Sequence, residues 1–142
     1  MKHLIELIKK HEGTGPVKNG RFMPYQDSEG CLTIGFGRYI EKKGISAVEA
    51  EFMLREDVHA AVHECESFDW FSQLNDPRQV VIVSMVFNLG FAGFKEFKKT
   101  IAYLESGDYY RASIEMLDSK WATQVGQRSK ELSTMLRTGR WL

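Results

Sequence analysis

The sequence predicts an α+β fold that is mainly α-helical, with a small antiparallel β-sheet lobe and a larger helical lobe. Two hairpin signals are confined to one stretch near the N-terminus. Apolar stretches with helical spacing, bounded by capping residues, fill most of the rest. A chain of 142 residues is long enough to bury a core without disulfide staples. We therefore expect one domain over 1–142, with a β lobe at about 13–45, a connector helix at about 46–66, and a helical lobe formed by 1–12 and about 67–142.

The first predicted element is a short amphipathic helix over residues 2–11. Lysines lie on one face, and four apolar residues lie on the other: Leu4, Ile5, Leu7 and Ile8. Gly13 ends this helix, because glycine is the residue that most often follows a helix C-terminus. Glu12 is therefore expected at a helix end.

Two hairpin signals follow the first helix. The pair Asn19-Gly20 supplies the two positive φ angles of a type I′ turn. A second turn is predicted at 27–30, before a strand over 32–34. Together these strands predict a small antiparallel sheet.

Two glycines come directly after the last predicted strand. Gly35 and Gly37 flank Phe36 and weaken strand pairing there, because they offer no side chain to pack. A glycine at such a place also indicates that another group approaches the backbone closely.

The remaining elements are helices with recognisable ends. Ser46 caps the connector helix, and Glu49 completes a capping box three positions later. The stretch 76–89 is apolar nearly all round, and its β-branched run also suits a buried strand. Its N-cap at Asp76, its length and the glycine after it favour a buried helix. Shorter helices are predicted over about 94–105, 109–118 with Asp108 as cap, and 127–137.

Three polar residues near the N-terminus suggest glycosidase chemistry: Glu12, Asp27 and Thr33. A glycosidase needs an acid that protonates the leaving oxygen and a carboxylate that acts on water or on developing positive charge. A helix C-terminus opposes negative charge, so the position of Glu12 favours the protonated acid. Asp27 and Thr33 could hold a water opposite Glu12. On residue type alone, a carboxylate at a helix end and an aspartate in a turn are more often solvated surface groups than catalytic ones.

The amino-acid sequences of several short segments indicate one family. The segments HEG at 11–13, YQDSEG at 25–30 and LTIGFG at 32–37 resemble the glutamate–aspartate–threonine signature of phage-type lysozymes. This is glycoside hydrolase family twenty-four, which includes the T-even phage lysozyme. The resemblance continues over nearly the whole chain, in MVFNLG at 85–90, Lys120-Trp121, Arg128 and RTGRW at 137–141.

The resemblance implies a peptidoglycan hydrolase with a lysozyme-like fold. Glu12 would donate a proton to the β-1,4 oxygen between N-acetylmuramic acid and N-acetylglucosamine. Asp27 and Thr33 would position the attacking water, with inversion at the anomeric carbon. Arg128 would lie beside the catalytic glutamate, although a surface salt bridge is an alternative for it, and Asn88 would contact sugar from the cleft floor. No metal or cofactor is implied, because two carboxylates and a water suffice.

The chain departs from the family at the connection between Glu12 and Asp27. That connection is longer than in the T-even lysozyme and includes the Asn19-Gly20 turn. A hairpin returns its ends close together, so we expect an inserted two-stranded finger beside the cleft, with the catalytic geometry intact.

Arg38 marks a second departure, because many relatives carry histidine after the glycine at this point. By alignment, its partner would be Asp57 on the connector helix. We therefore predict an Arg38–Asp57 ion pair that does not depend on pH near neutrality, since arginine stays charged.

Composition argues against several other classes of function. The net charge is zero, and no run is basic enough to indicate a nucleic-acid partner. No apolar run reaches the roughly 20 residues that span a bilayer, so membrane insertion is not expected. We expect a monomer whose partners are the glycan strands of peptidoglycan. Glu6 interrupts the first apolar stretch, which does not resemble a signal peptide. With no export signal expected, the resemblance to phage-type lysozymes implies synthesis in the host cytoplasm and holin-dependent release to the wall.

Other reactive residues have simpler interpretations. His59 and His63 have a metal-binding spacing but no evident third ligand, so solvated histidines are expected. Cys31 and Cys65 are expected to be free thiols. Two alternative functions stay open at this point: a lytic transglycosylase, which needs only the glutamate, and a non-catalytic peptidoglycan-binding module.

Overall fold

The computed structural model describes all residues, Met1–Leu142. It confirms a mainly helical α+β fold with nine α-helices and two short antiparallel hairpins. The chain divides into two compact units, Met1–Phe52 and Met53–Leu142. The helices are α1 (Lys2–Glu12), α2 (Ile40–Lys43), α3 (Ala47–Cys65), α4 (Asp76–Leu89), α5 (Phe91–Lys95), α6 (Lys98–Glu105), α7 (Tyr109–Glu115), α8 (Lys120–Val125) and α9 (Gln127–Thr138). The strands are β1 (Val17–Lys18), β2 (Arg21–Phe22), β3 (Tyr25–Gln26) and β4 (Leu32–Thr33).

The first helix forms as predicted. Gly13 follows α1 with a φ of 65°, and its N–H donates to the carbonyl of Lys9 at 3.0 Å. No side chain of α1 is buried, and within the first unit only Cys31 and Thr33 are buried. Turn and hairpin hydrogen bonds therefore shape this unit more than a hydrophobic core does. That residues 1–12 belong with the helical lobe stays a prediction.

Both predicted hairpins are present, but they do not join into one sheet. β1 pairs with β2 around Asn19 and Gly20, whose φ angles are 51° and 74°, as a type I′ turn requires. β3 pairs with β4 in a separate two-stranded ladder. The expected small sheet is therefore two independent hairpins.

Arg38 has a different partner from the predicted one. Its guanidinium lies 3.2 Å from a carboxylate oxygen of Glu49 and donates to the carbonyl of Gly44 at 3.1 Å. The predicted Arg38–Asp57 pair is therefore wrong. The short helix α2, which the sequence analysis did not predict, leads the chain directly into the start of α3. Asp57 lies eight residues further along α3, about 12 Å of helix.

The same contact explains why the capping box forms only in part. The N–H of Glu49 donates to the hydroxyl of Ser46 at 3.1 Å, as predicted. The Glu49 side chain binds Arg38, so it does not complete the reciprocal half of the box. A pairing between segments has thus replaced a local one.

The core of the second unit is built around α4. Four of its side chains are at most 2% exposed: Val81, Ile82, Met85 and Val86. This confirms the helical interpretation of 76–89. Its N-cap is Asn75 rather than Asp76, because the Asn75 side chain accepts from the N–H of Arg78 at 3.3 Å.

The later helices match the prediction in part. Asp108 caps α7 by accepting from the N–H of Arg111 at 3.0 Å, and Gly139 ends α9 in the left-handed conformation. The predicted helix over 94–105 is broken into α5 and α6, and α8 was not predicted. None of the helices combines the length and apolar character that crossing a membrane requires.

Candidate active site

The carboxylate of Glu12 lies against the backbone of Gly37. A Cβ atom added to Gly37 would be 2.8 Å from Oε2 of Glu12 and 3.1 Å from its Cδ. Gly37 has a φ of 78°, so both its conformation and its lack of a side chain suit this contact. The close approach that the sequence predicted at two glycines is confirmed at Gly37, where the approaching group is the predicted catalytic acid, but not at Gly35, where a Cβ would meet nothing within 4 Å.

Gly37 belongs to a tight loop, residues 35–37, that is closed at its base. Ile34 and Arg38 exchange two backbone hydrogen bonds of 2.9 and 3.0 Å. The contacts of Arg38 with Gly44 and Glu49 anchor one end of this loop. The loop is thus a fixed surface against which Glu12 rests.

Asp27 is held by the turn that it begins. Its Oδ1 accepts from the N–H of Glu29 at 2.9 Å and from the N–H of Cys31 at 2.8 Å. Its own N–H donates to the carbonyl of Cys31 at 2.9 Å. The carboxylate is therefore fixed through one oxygen, which leaves Oδ2 to accept from another group.

Thr33 and Asp27 both form hydrogen bonds with the backbone of Cys31. The Thr33 hydroxyl donates to the Cys31 carbonyl at 3.0 Å, and the residue is only 1% exposed. Thr33 also pairs with Tyr25 between β4 and β3, and the Tyr25 ring lies against Gly15, three residues after Glu12. One network of contacts therefore links the segments that carry Glu12, Asp27 and Thr33.

A cation that sequence reasoning missed lies near this turn. Contact with Cys31 raises the pKa of Lys42, and Asp27 and Glu41 add smaller contributions in the same direction. Lys42 lies on α2, the helix that the sequence analysis did not predict. No local pattern could place this ammonium near Asp27 without that helix.

The other two predicted site residues lie in the second unit. Asn88 accepts a hydrogen bond of 2.8 Å from the indole N–H of buried Trp121. Arg128 donates to the hydroxyl of Ser84 at 3.1 Å. Ser84 and Asn88 are one turn apart on α4 and therefore share a face of that helix. The structure thus brings Asn88 and Arg128 to the same face of α4.

A large apolar groove in the second unit contains none of the predicted site residues. Its volume is about 1090 Å³, and α3, α4 and Trp141 contribute to its lining. A saccharide offers hydroxyl and amide groups, so a mostly hydrocarbon wall does not match it, and we assign no glycan to this groove. No group of three or more histidine, cysteine or acidic side chains is close enough to hold a metal ion. Both cysteines are free, as predicted, and both are buried.

Comparison with known families identifies the chain. The family model described as phage lysozyme matches residues 9–137. This range covers most of the sequence, including Glu12, Asp27 and Thr33.

The chain belongs to the phage lysozyme family.

Curated relatives agree with this assignment. The chain is 27% identical to probable T4-type lysozyme 2 of Dictyostelium discoideum, over 96% of this chain and 94% of the relative. It is 28% identical to probable T4-type lysozyme 1 of the same organism, over 94% and 93%. It is 23% identical to the pre-baseplate central spike protein of Enterobacteria phage T4, over 96% of this chain but only 28% of that protein. This member of the family is a glycoside hydrolase of the lysozyme class, and its substrate class is peptidoglycan.

Proposed function

We propose that this lysozyme is an N-acetylmuramidase that cleaves the β-1,4 bond between N-acetylmuramic acid and N-acetylglucosamine with inversion. The observation that carries the proposal is the close contact of the Glu12 carboxylate with the backbone of Gly37. This contact fixes a carboxylic acid beside the loop that follows β4, and β4 belongs to the hairpin whose turn carries Asp27. An acid and a separately held carboxylate are the two groups that an inverting glycosidase requires.

Glu12 is the proposed proton donor. It is the last residue of α1, and its carboxyl group lies against the backbone of Gly37. Gly37 restricts the carboxyl group from one side, so it presents its proton in a limited range of directions. Restricting a reacting group in this way lowers the entropic cost of reaching the transition state.

Asp27 and Thr33 are proposed to orient the attacking water. Oδ2 of Asp27 is free to accept, and the Thr33 oxygen can also only accept, because its proton is donated to the Cys31 carbonyl. A water that donates one proton to each oxygen would have its lone pairs free to attack the anomeric carbon. Asp27 then takes a proton as the new bond forms.

Asn88 and Arg128 are proposed to support glycan binding from the second unit. The indole of Trp121 occupies the carbonyl oxygen of the Asn88 amide, so the amide NH₂ is left to donate. Sugar hydroxyls and acetamido carbonyls accept such bonds. Arg128 adds a cation on the same face of α4.

The proposed biological role is that of an endolysin. In this proposal, the enzyme acts as a monomer on the cell wall after holin-dependent release from the host cytoplasm, and it causes bacterial lysis. The named relatives include proteins of an amoeba and of a phage spike, so the proposed lysis role rests on the family's phage setting.

The reaction products test the proposed chemistry. Mass spectrometry of digested sacculi should find reducing ends, one water heavier than the anhydro ends of a lytic transglycosylase, and proton NMR should first detect the inverted anomer. Glu12→Gln should abolish turnover with the fold retained, whereas Glu6→Gln, the same change at an exposed position of α1, should not. Asp27→Ala should cause a large loss. Anhydro products, or a Glu12→Gln variant with normal activity, would refute the assignment.

A further inference from the structure

The finger, residues 17–22, has no role in the chemistry proposed above. Its two strands pair Val17 with Phe22 and Lys18 with Arg21. At its base, the N–H of Met23 donates to the carbonyl of Pro16 at 2.9 Å. The finger is therefore a ribbon with a defined base, and its side chains project in fixed directions.

The finger contacts the loop that seats Glu12. The rings of Phe22 and Phe36 lie 5.4 Å apart between centroids, with planes at 83°, which is an edge-to-face pair. Each phenylalanine is 41% exposed. The contact is therefore at the surface and is not part of a hydrophobic core, so the removal of either ring should leave the fold intact.

The same ring of Phe36 also contacts α1. The ammonium of Lys9 lies 5.5 Å from its centroid, within the range of a cation–π interaction. Lys9 and Glu12 are three residues apart and so share a face of α1. Lys9 meets Phe36 while Glu12 meets the adjacent Gly37. The tip of the loop is thus contacted by α1 at two points and by the finger at a third.

We propose that the finger is a positioning element for the catalytic acid. In this mechanism, Phe22 fixes the ring of Phe36, and Phe36 keeps the loop against the end of α1, so that Gly37 stays in contact with the Glu12 carboxylate. The inference rests on the proposed role of Glu12 as proton donor. Direct stacking of the finger on sugar is the alternative role, and it predicts an effect on KM rather than on kcat.

Steady-state kinetics on soluble oligomers of alternating N-acetylglucosamine and N-acetylmuramic acid can test this mechanism. Phe22→Ala should lower kcat about tenfold, because small displacements of a reacting group are costly, and should change KM by less than about twofold. Lys18→Ala is the matched control, because Lys18 follows Val17 in β1 and therefore projects from the other face of the hairpin, away from Phe22. It should leave both constants unchanged. Phe22→Tyr keeps the ring and should restore kcat.

A double-mutant cycle with Phe36→Ala tests whether the two rings act together. If they do, the double variant should lose no more kcat than the worse single variant. Multiplied losses, an unchanged kcat in Phe22→Ala, or a rise in KM alone would overturn the proposal, and a KM effect would instead indicate contact with the glycan. If Phe22→Ala does not fold, Phe22→Leu is judged by the same criteria. If Glu12→Gln stays active, the proposed function itself is wrong. If Glu12→Gln is inactive but Phe22→Ala has normal kcat, only the proposed role of the finger is wrong.

Discussion

Replacing Gly37 by alanine would move the proposed catalytic acid by a predictable amount. The new Cβ would be 2.8 Å from Oε2 of Glu12, whereas ordinary contact begins at 3.4 Å. The carboxylate would therefore have to retreat by roughly 0.6 Å, or the loop would have to shift by a similar distance. A positive φ adds about 1–2 kcal/mol of backbone strain for a residue with a side chain.

These two effects can be separated with a second glycine of the same loop. Gly35 has a φ of 66°, but a Cβ there would meet nothing within 4 Å. Gly35→Ala and Gly37→Ala should therefore lose similar stability, seen as a fall of about 3–7 °C in Tm. Only Gly37→Ala should also lose kcat, by about 10- to 100-fold, because a reacting group displaced by a fraction of an ångström performs poorly.

The assay pairs calorimetry with hydrolysis of the soluble glycan. Each variant needs both measurements, since a loss of activity with a large fall in Tm reports on folding alone. Equal losses of kcat in the two variants would show that loop conformation matters and the contact with Glu12 does not. A Gly37→Ala variant with normal kcat would refute the claim that this glycine seats the acid.

Two further predictions concern the second unit. Arg78 donates to two of the last carbonyl groups of α9, at 2.8 and 3.2 Å, so Arg78→Met should lower the free energy of unfolding by about 2 kcal/mol, measured in urea. Arg111 makes only an exposed local ion pair, so Arg111→Met should change this free energy by less than about 0.5 kcal/mol. Equal effects of the two substitutions would contradict the prediction. Burial raises the pKa of the Cys65 thiol to about 12, so it should resist a thiol reagent at pH 8 until the protein unfolds. Because the unfolded thiol ionises near pH 9, the contribution of Cys65 to stability is present below pH 9 and is lost as the pH rises toward 12. Rapid labelling of Cys65 in the native protein would show that the thiol is not buried.

Local signals predicted the elements whose ends are fixed by neighbouring residues. The Asn19-Gly20 turn, the stop at Gly13 and the cap at Asp108 all formed, because each depends on the conformational or hydrogen-bonding capacity of one or two residues. The seat at Gly37 was also indicated, as a close approach of unknown origin. What approached it could not be read from the local pattern.

Features set by distant contacts were missed. The helix predicted over 94–105 breaks near Phe97, where no glycine or proline marks the sequence. Phe97 stacks on Phe94 and meets Trp121 edge-on, so tertiary packing fixes the break.

Helix α8 did carry signals, a Ser119 cap and a following glycine, that would have revealed it.

The partner of Arg38 shows how local and long-range demands compete for one side chain. From its position three residues after Ser46, Glu49 is predicted only to complete a capping box. The fold brings it within 3.2 Å of Arg38, and its carboxylate binds that charge. Among the site residues, the sequence could nominate Glu12, but which group restrains its carboxyl depends on the loop in three dimensions.

The backbone N–H of Cys31 donates to Asp27 and its carbonyl accepts from Thr33, while its sulfur takes no part in those hydrogen bonds. Exchanging Cys31 for a residue of similar volume, such as valine, should therefore keep these backbone hydrogen bonds and remove only the contact of the side chain with Lys42. Since Cys65 is sequestered, that exchange would leave a protein with no readily modified sulfhydryl. Single cysteines introduced elsewhere could then carry spectroscopic labels on an otherwise silent background, which makes the chain a convenient framework for following its motions during catalysis.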